Sequence, residues 1–141
     1  MQANELMIGD WVQVPGNDNP MFLKVFGICP FLSGEYYAYT NPIIDRQPLW
    51  LKILEPIPLT PEILEKNFGR PYGLGWYDVY ELKRIEGEGI YYIRDAYRYP
   101  SKERFSIIKA DDKEITFCSL KYVHELQHAL RLAGIEKEII L

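Results

Sequence analysis

The sequence predicts an α+β protein: a small β-barrel over residues 1–58, then an antiparallel four-stranded meander flanked by two helices over residues 59–141. Three observations carry this. Short apolar stretches with a period near two alternate with dense turn signals through the first part. Pro56-Ile57-Pro58 breaks that pattern, and Thr60-Pro61-Glu62 opens a helix directly after it. An apolar stripe of Val123, Leu126, Leu130 and Ala133 recurs at helical spacing near the end.

In the first part, strands are expected at 6–14, 21–29, 35–40 and 49–54. Pro15-Gly16-Asn17-Asp18-Asn19-Pro20 is a turn, Asn41 to Pro48 a long loop, and Gly27 the mark of a bulge or tight bend. Pro56 and Pro58 are expected to end any ladder. Strands this short cannot bury both faces as one flat sheet, and closure into a barrel removes the exposed edges. Gly9-Asp10-Trp11-Val12, a turn, and then Val25-Phe26-Gly27-Ile28 resemble the SH3-like small barrels. A resemblance of folds implies no function.

In the second part, Thr60 caps a helix over about 60–68, with Leu59 and Leu64 placed as a hydrophobic staple and Gly69 as its stop. Residues 76–84, 90–97, 104–109 and 114–118 read as four strands joined by short turns, which favours an antiparallel meander. Ser119 is the expected cap of a last helix over about 119–133, stopped by Gly134.

Composition bounds the function. Hydrophobic residues make up 48% and charged residues 26% of 141, a globular mix that excludes a disordered chain. Residues 1–70 carry 5 Lys/Arg against 8 Asp/Glu, and residues 71–141 carry 11 against 12, so neither half has a nucleic-acid binder's overall basic excess. Cys29 and Cys118 are too few for a disulfide scaffold or zinc knuckle and read as two buried thiols. No leader pattern is visible and no stretch nears the ~20 apolar residues of a membrane span, so a cytoplasmic protein without membrane contact is expected.

His124-Glu125-Leu126-Gln127-His128 matches the zinc-hydrolase pattern H-E-x-x-H. Two His four apart on a helix can share one zinc, with Glu125 as general base on its water. On a helical wheel these residues lie opposite the apolar stripe. A catalytic zinc needs a third protein ligand, and Glu136 and Glu138 are the downstream candidates, without the H-x-x-G-x-x-H extension. The expectation is therefore no metal, no cofactor and no catalysis, with a zinc hydrolase through His124, His128 and Glu125 as an alternative.

Three segments carry a family resemblance: Ala3-Asn4-Glu5-Leu6-Met7-Ile8-Gly9-Asp10-Trp11-Val12, Glu55-Pro56-Ile57-Pro58-Leu59-Thr60, and Lys121-Tyr122-Val123-His124-Glu125-Leu126-Gln127 followed by Ala129-Leu130 and Gly134. Through them the chain resembles a family of short proteins from Bacteroides-type gut bacteria and their phages and mobile elements. That family usually reads Val-His-Gln-Leu-Gln-Asn in the last segment, so Glu125 and His128 complete the zinc pattern through two substitutions. The resemblance implies a phage or mobile-element origin and brings no activity, substrate or catalytic residue with it.

Between residues 91 and 109, Tyr91, Tyr92, Tyr97, Tyr99 and Phe105 interleave with Arg94, Arg98, Lys102, Arg104 and Lys109, with a local net charge of +3. Rings that stack on bases beside cations on phosphates are how single strands are held, which makes Arg94, Arg98, Lys102 and Arg104 nucleic-acid candidates. Strand alternation separates Tyr92 and Arg94 from Tyr91 and Asp95. Trp11, Trp50 and Trp76 read as core anchors. Gly69 to Gly75 lacks the Gly-Lys-Ser/Thr ending of a phosphate loop and precedes a strand. No nucleophile arrangement is legible.

The main expectation is a non-enzymatic accessory protein that contacts another protein. Aromatics at 14%, eleven of them Tyr, exceed what two small cores need, and surface Tyr are favoured anchors. Tyr36, Tyr37 and Tyr39 of the first part, with Tyr91 and Tyr97 of the second, are the expected patch.

Overall fold

The computed structural model describes residues 1–16, 18–42, 48–85, 89–98, 104–110 and 114–141. The chain divides into two compact units, Met1–Ile57 and Pro58–Leu141. Its class is mixed α+β, with two antiparallel sheets and two α-helices among the described residues.

The first unit holds β1 (Trp11–Val14), β2 (Met21–Pro30), β3 (Tyr36–Asn41), β4 (Leu49–Trp50) and β5 (Glu55–Pro56), ordered β4-β3-β2-β1-β5. Its core is Leu6, Val12, Leu23, Val25, Ala38, Leu51 and Leu54. The expected closed barrel is corrected: among the described residues the edges β4 and β5 pair only with β3 and β1. Both edge strands are two residues long, and the 3₁₀ turn at Leu51–Ile53 ends β4 directly after Trp50. The strand expected at 49–54 breaks after Trp50, where Leu51–Ile53 form a 3₁₀ turn that sends Leu51 and Leu54 into the core. Pro56, expected to end the ladder, lies within it opposite Val12. An edge strand tolerates proline because its outer side needs no N–H donor, and the Pro56 carbonyl accepts from Gln13 Nε2.

The second unit holds α1 (Pro61–Phe68), β6 (Tyr72–Leu74), β7 (Tyr77–Ile85), β8 (Gly89–Asp95), β9 (Phe105–Ala110), β10 (Glu114–Leu120) and α2 (Val123–Leu132). The sheet order is β10-β9-β8-β7-β6, a meander of five strands where four are expected. The added strand is β6, between the expected helix stop at Gly69 and the strand expected at 76–84. A two-residue turn, Gly75-Trp76, folds it back onto β7, and Gly75 at φ 68° supplies the positive φ such turns require.

Alternation along the sheet sends Tyr80, Ile93, Ile107 and Leu120 into the core. Val79, Tyr92 and Ile108 are buried on the opposite face. Thr60 Oγ1 accepts from the Ile63 N–H to start α1, and Leu59 and Leu64 are buried beside it. The helix start expected at Ser119 is corrected. Ser119 stays in β10 opposite Ser106, and α2 begins at Val123. Its cap is Glu125, whose Oε2 accepts from the N–H groups of Lys121 and Tyr122 at 2.6 and 3.1 Å. After α2, the Ile135 and Gly134 N–H groups bond Leu130 and Arg131 carbonyls, a Schellman stop with Gly134 at φ 68°. Among the described residues no helix is long and apolar enough to cross a membrane.

Candidate functional site

The first unit builds an aromatic surface from strand alternation and one bulge. Leu23, Val25, Ala38 and Thr40 point inward and are buried. The intervening residues therefore face outward: Phe22 and Lys24 on β2, Tyr37, Tyr39 and Asn41 on β3. The register between β2 and β3 slips between Val25 and Gly27, so Phe26 is the extra residue. Phe26 keeps the outward parity that follows from inward Val25, the slip sets Gly27 opposite Tyr39, and the Phe26 ring meets Tyr39 at 5.9 Å. Gly27 leaves room for the Tyr39 ring, since a Cβ there would stand 3.4 Å from Tyr39 Cδ2.

Further along, Tyr37 makes edge contacts with Phe31 at 5.4 Å and Trp50 at 5.0 Å. At the other end Lys24 lies over the Trp11 ring. Phe22, Phe26, Phe31 and Tyr39 are each at least 40% exposed, so these rings form a surface. Partial burial, then the Glu35 charge and Cys29, push the Tyr37 phenol above its ordinary value.

The expected tyrosines divide. Tyr37 and Tyr39 share this outer face. Tyr36 has the opposite parity and borders a groove of about 420 Å³ with Glu35, Trp50 and Lys52. Tyr91 is corrected: it is buried in β8, between β7 and β9, with the Phe117 ring edge-on at 6.4 Å. Tyr97 is exposed in the turn after β8. Phe22, Phe26, Phe31, Trp11 and Trp50 were not in the expected patch. The signal for Phe22, Phe26, Trp11 and Trp50 is the outward parity of their strands, and Phe31, which follows β2, has no such signal. Trp76, expected as a core anchor, is 64% exposed at the tip of the β6–β7 hairpin, and Trp11 and Trp50 are half-buried. Both thiols are half-buried where full burial is expected.

Among the described residues, Arg94, Arg98 and Arg104 each engage different partners within the chain. Arg94 is half-buried over the Tyr77 ring and donates to Ser106 Oγ at 3.5 Å. Arg98 is exposed and donates to the Tyr97 hydroxyl and the Gly75 carbonyl. Arg104 makes a two-pronged pair with the buried Asp95, at 2.8 and 3.0 Å, which neutralises its charge. Lys102 and Tyr99 lie outside the described residues.

The zinc pattern is placed differently from the wheel reading. His124 is buried, stacked on Tyr122 at 5.7 Å with an interplanar angle of 9°. The stacking and the fold of α2 onto the sheet override the polar-face expectation. His128 meets the His124 ring edge-on at 5.7 Å. The Glu125 carboxylate holds the two N–H groups that start α2. Among the described residues no three His, Cys, Asp or Glu side chains gather as a metal site.

No protein-family model, no curated protein and no solved structure matches the chain.

Proposed function

We propose that the chain is a non-enzymatic accessory protein that works in the cytoplasm by contacting another protein through the outer face of its first unit. The observation that carries this is a run of mutually packed rings, Phe26, Phe31 and Tyr39 exposed and Tyr37 and Trp50 half-buried: Phe26 meets Tyr39, and Phe31 and Trp50 meet Tyr37. Such rings bury much area at low entropy cost when a partner covers them, and exposed clusters of them mark interaction sites. The meander with a 3₁₀ turn before a last strand that returns to β1 supports reading this unit as an open, SH3-like roll. The resemblance to short proteins of phages and mobile elements supports a setting in which small accessory proteins act on a host or viral partner.

A photo-crosslinking residue at Phe26 tests this. The expected result is one discrete partner adduct in extract of the producing cells, absent when the crosslinker sits at Glu62 and lost on Tyr39→Ser. Equal adducts at both positions contradict it. A nucleic-acid reading through Arg94, Arg98, Lys102 and Arg104 has weaker support, since Asp95 already satisfies Arg104 and Arg94 is half-buried.

A further inference from the structure

We infer that the groove beside Trp50 takes a lysine or arginine side chain from a basic segment of the partner protein, and that Lys52 occupies this place in the free chain. The inference rests on the protein-contact reading above and names the chemistry of the partner.

Trp50 ends β4, and the 3₁₀ turn that follows folds Lys52 back on it. The Lys52 ammonium lies 3.7 Å from the Trp50 ring centroid and 3.3 Å from Glu35 Oε1. An aromatic face and a carboxylate are the two groups that together select a cation. The Lys52 side chain is 64% exposed on a flexible stem, so it can swing away into water at little cost. The space it borders, about 420 Å³ lined also by Gln2, Asn4 and Tyr36, accommodates a long side chain and its neighbours.

Charge agrees with this occupant. Residues 1–57 hold 3 Lys/Arg against 6 Asp/Glu, so the unit attracts basic segments and repels acidic ones. Trp50 also joins the groove to the outer face through its edge contact with Tyr37. A partner seated on the rings can therefore reach past Trp50 to place a cation in the groove.

The test is a titration of the full chain with a poly-(Gly-Arg) peptide, followed through the Trp50 indole N–H resonance, which is assigned by its loss in Trp50→Phe. The expected result is a saturable shift of that resonance. Lys52→Ala, which empties the place, should tighten binding about two- to fivefold, and Glu35→Gln should weaken it by a similar factor. Poly-(Gly-Glu) should leave the resonance unmoved. Both substituted side chains are partly or largely exposed, and unchanged circular dichroism shows that the variants fold. An unmoved Trp50, weaker binding by Lys52→Ala, an equal response to the acidic peptide, or a shift that follows protein concentration alone and so reports a second copy would each overturn the inference. If these fail while the Phe26 adduct forms and depends on Tyr39, the cation site falls and the contact reading stands. If the Phe26 adduct also fails, the reading beneath it falls too.

Discussion

The side-chain amide of Asn67 pairs with the main chain of Ile140 in both directions, Oδ1 accepting the Ile140 N–H and Nδ2 donating to the Ile140 carbonyl, each at 2.8 Å. Nδ2 also donates to the Ile63 carbonyl one turn back in α1. One residue of a helix thus imitates the edge of a strand and holds the segment that carries the fully buried Ile139. Asn67→Ala leaves two main-chain groups at Ile140 without these partners, and a cost of about 2–3 kcal/mol is expected. Urea unfolding measures it, and a loss below about 0.5 kcal/mol would contradict the pairing.

The Asp95–Arg104 pair should respond asymmetrically. Asp95 is 3% exposed and Arg104 48% exposed at the side chain. Arg104→Ala strands a buried carboxylate, with an expected cost of about 3 kcal/mol. Asp95→Asn leaves a cation that water can solvate, so a smaller loss of about 1 kcal/mol is expected. Thermal melts of both variants check the order, and a reversed order would show that Asp95 is solvated.

Alkaline pH should weaken the fold above about 10 through its buried tyrosines. Burial, with Asp95 and Asp78 next, pushes the Tyr80 phenol from 10.0 up to about 12. Tyr92 moves in the same direction through burial and its hydrogen bond to Glu114 Oε1. A raised folded value favours the neutral ring, so this stability is complete below 10.0 and is lost as pH rises toward about 12. Unfolding midpoints measured across that window should fall. In Tyr80→Phe the fall should be shallower, and an identical slope would remove Tyr80 from the explanation.

At α2, the geometry assigns Glu125 to starting a helix. Glu125→Ala should cost about 1–2 kcal/mol through the lost cap. Purified protein is expected to hold no stoichiometric zinc. One zinc per chain, lost on His128→Ala, would move the assignment to the hydrolase alternative.

The legible features are local ones. Thr60-Pro61 announces α1 because a cap and a fixed φ act within one turn, and the stripe of Val123, Leu126 and Leu130 needs only the helical period. What stayed hidden depends on distant pairing. Tyr72 and Leu74 form a strand only because β7 offers them a ladder. Pro56 lies in a ladder because its strand is an edge, a fact of topology. Alternation counted from Leu23 places Phe26 outward, but the slipped residue reverses parity from Gly27 on, so Gly27 lies opposite Tyr39 and Ile28 turns to the core, which alternation alone misplaces. His124 is buried by a ring two residues away that a wheel places without regard to stacking.

If the outer rings of the first unit serve a partner, they carry little of the fold's own stability. The double variant Phe26→Ser/Tyr39→Ser tests it in one comparison of unfolding free energy and partner adduct. The rings are 49% and 43% exposed, so a stability loss within about 1 kcal/mol is expected, together with loss of the adduct formed by a crosslinker at Phe31. A loss of several kcal/mol, or an adduct unchanged in the double variant, would contradict the account.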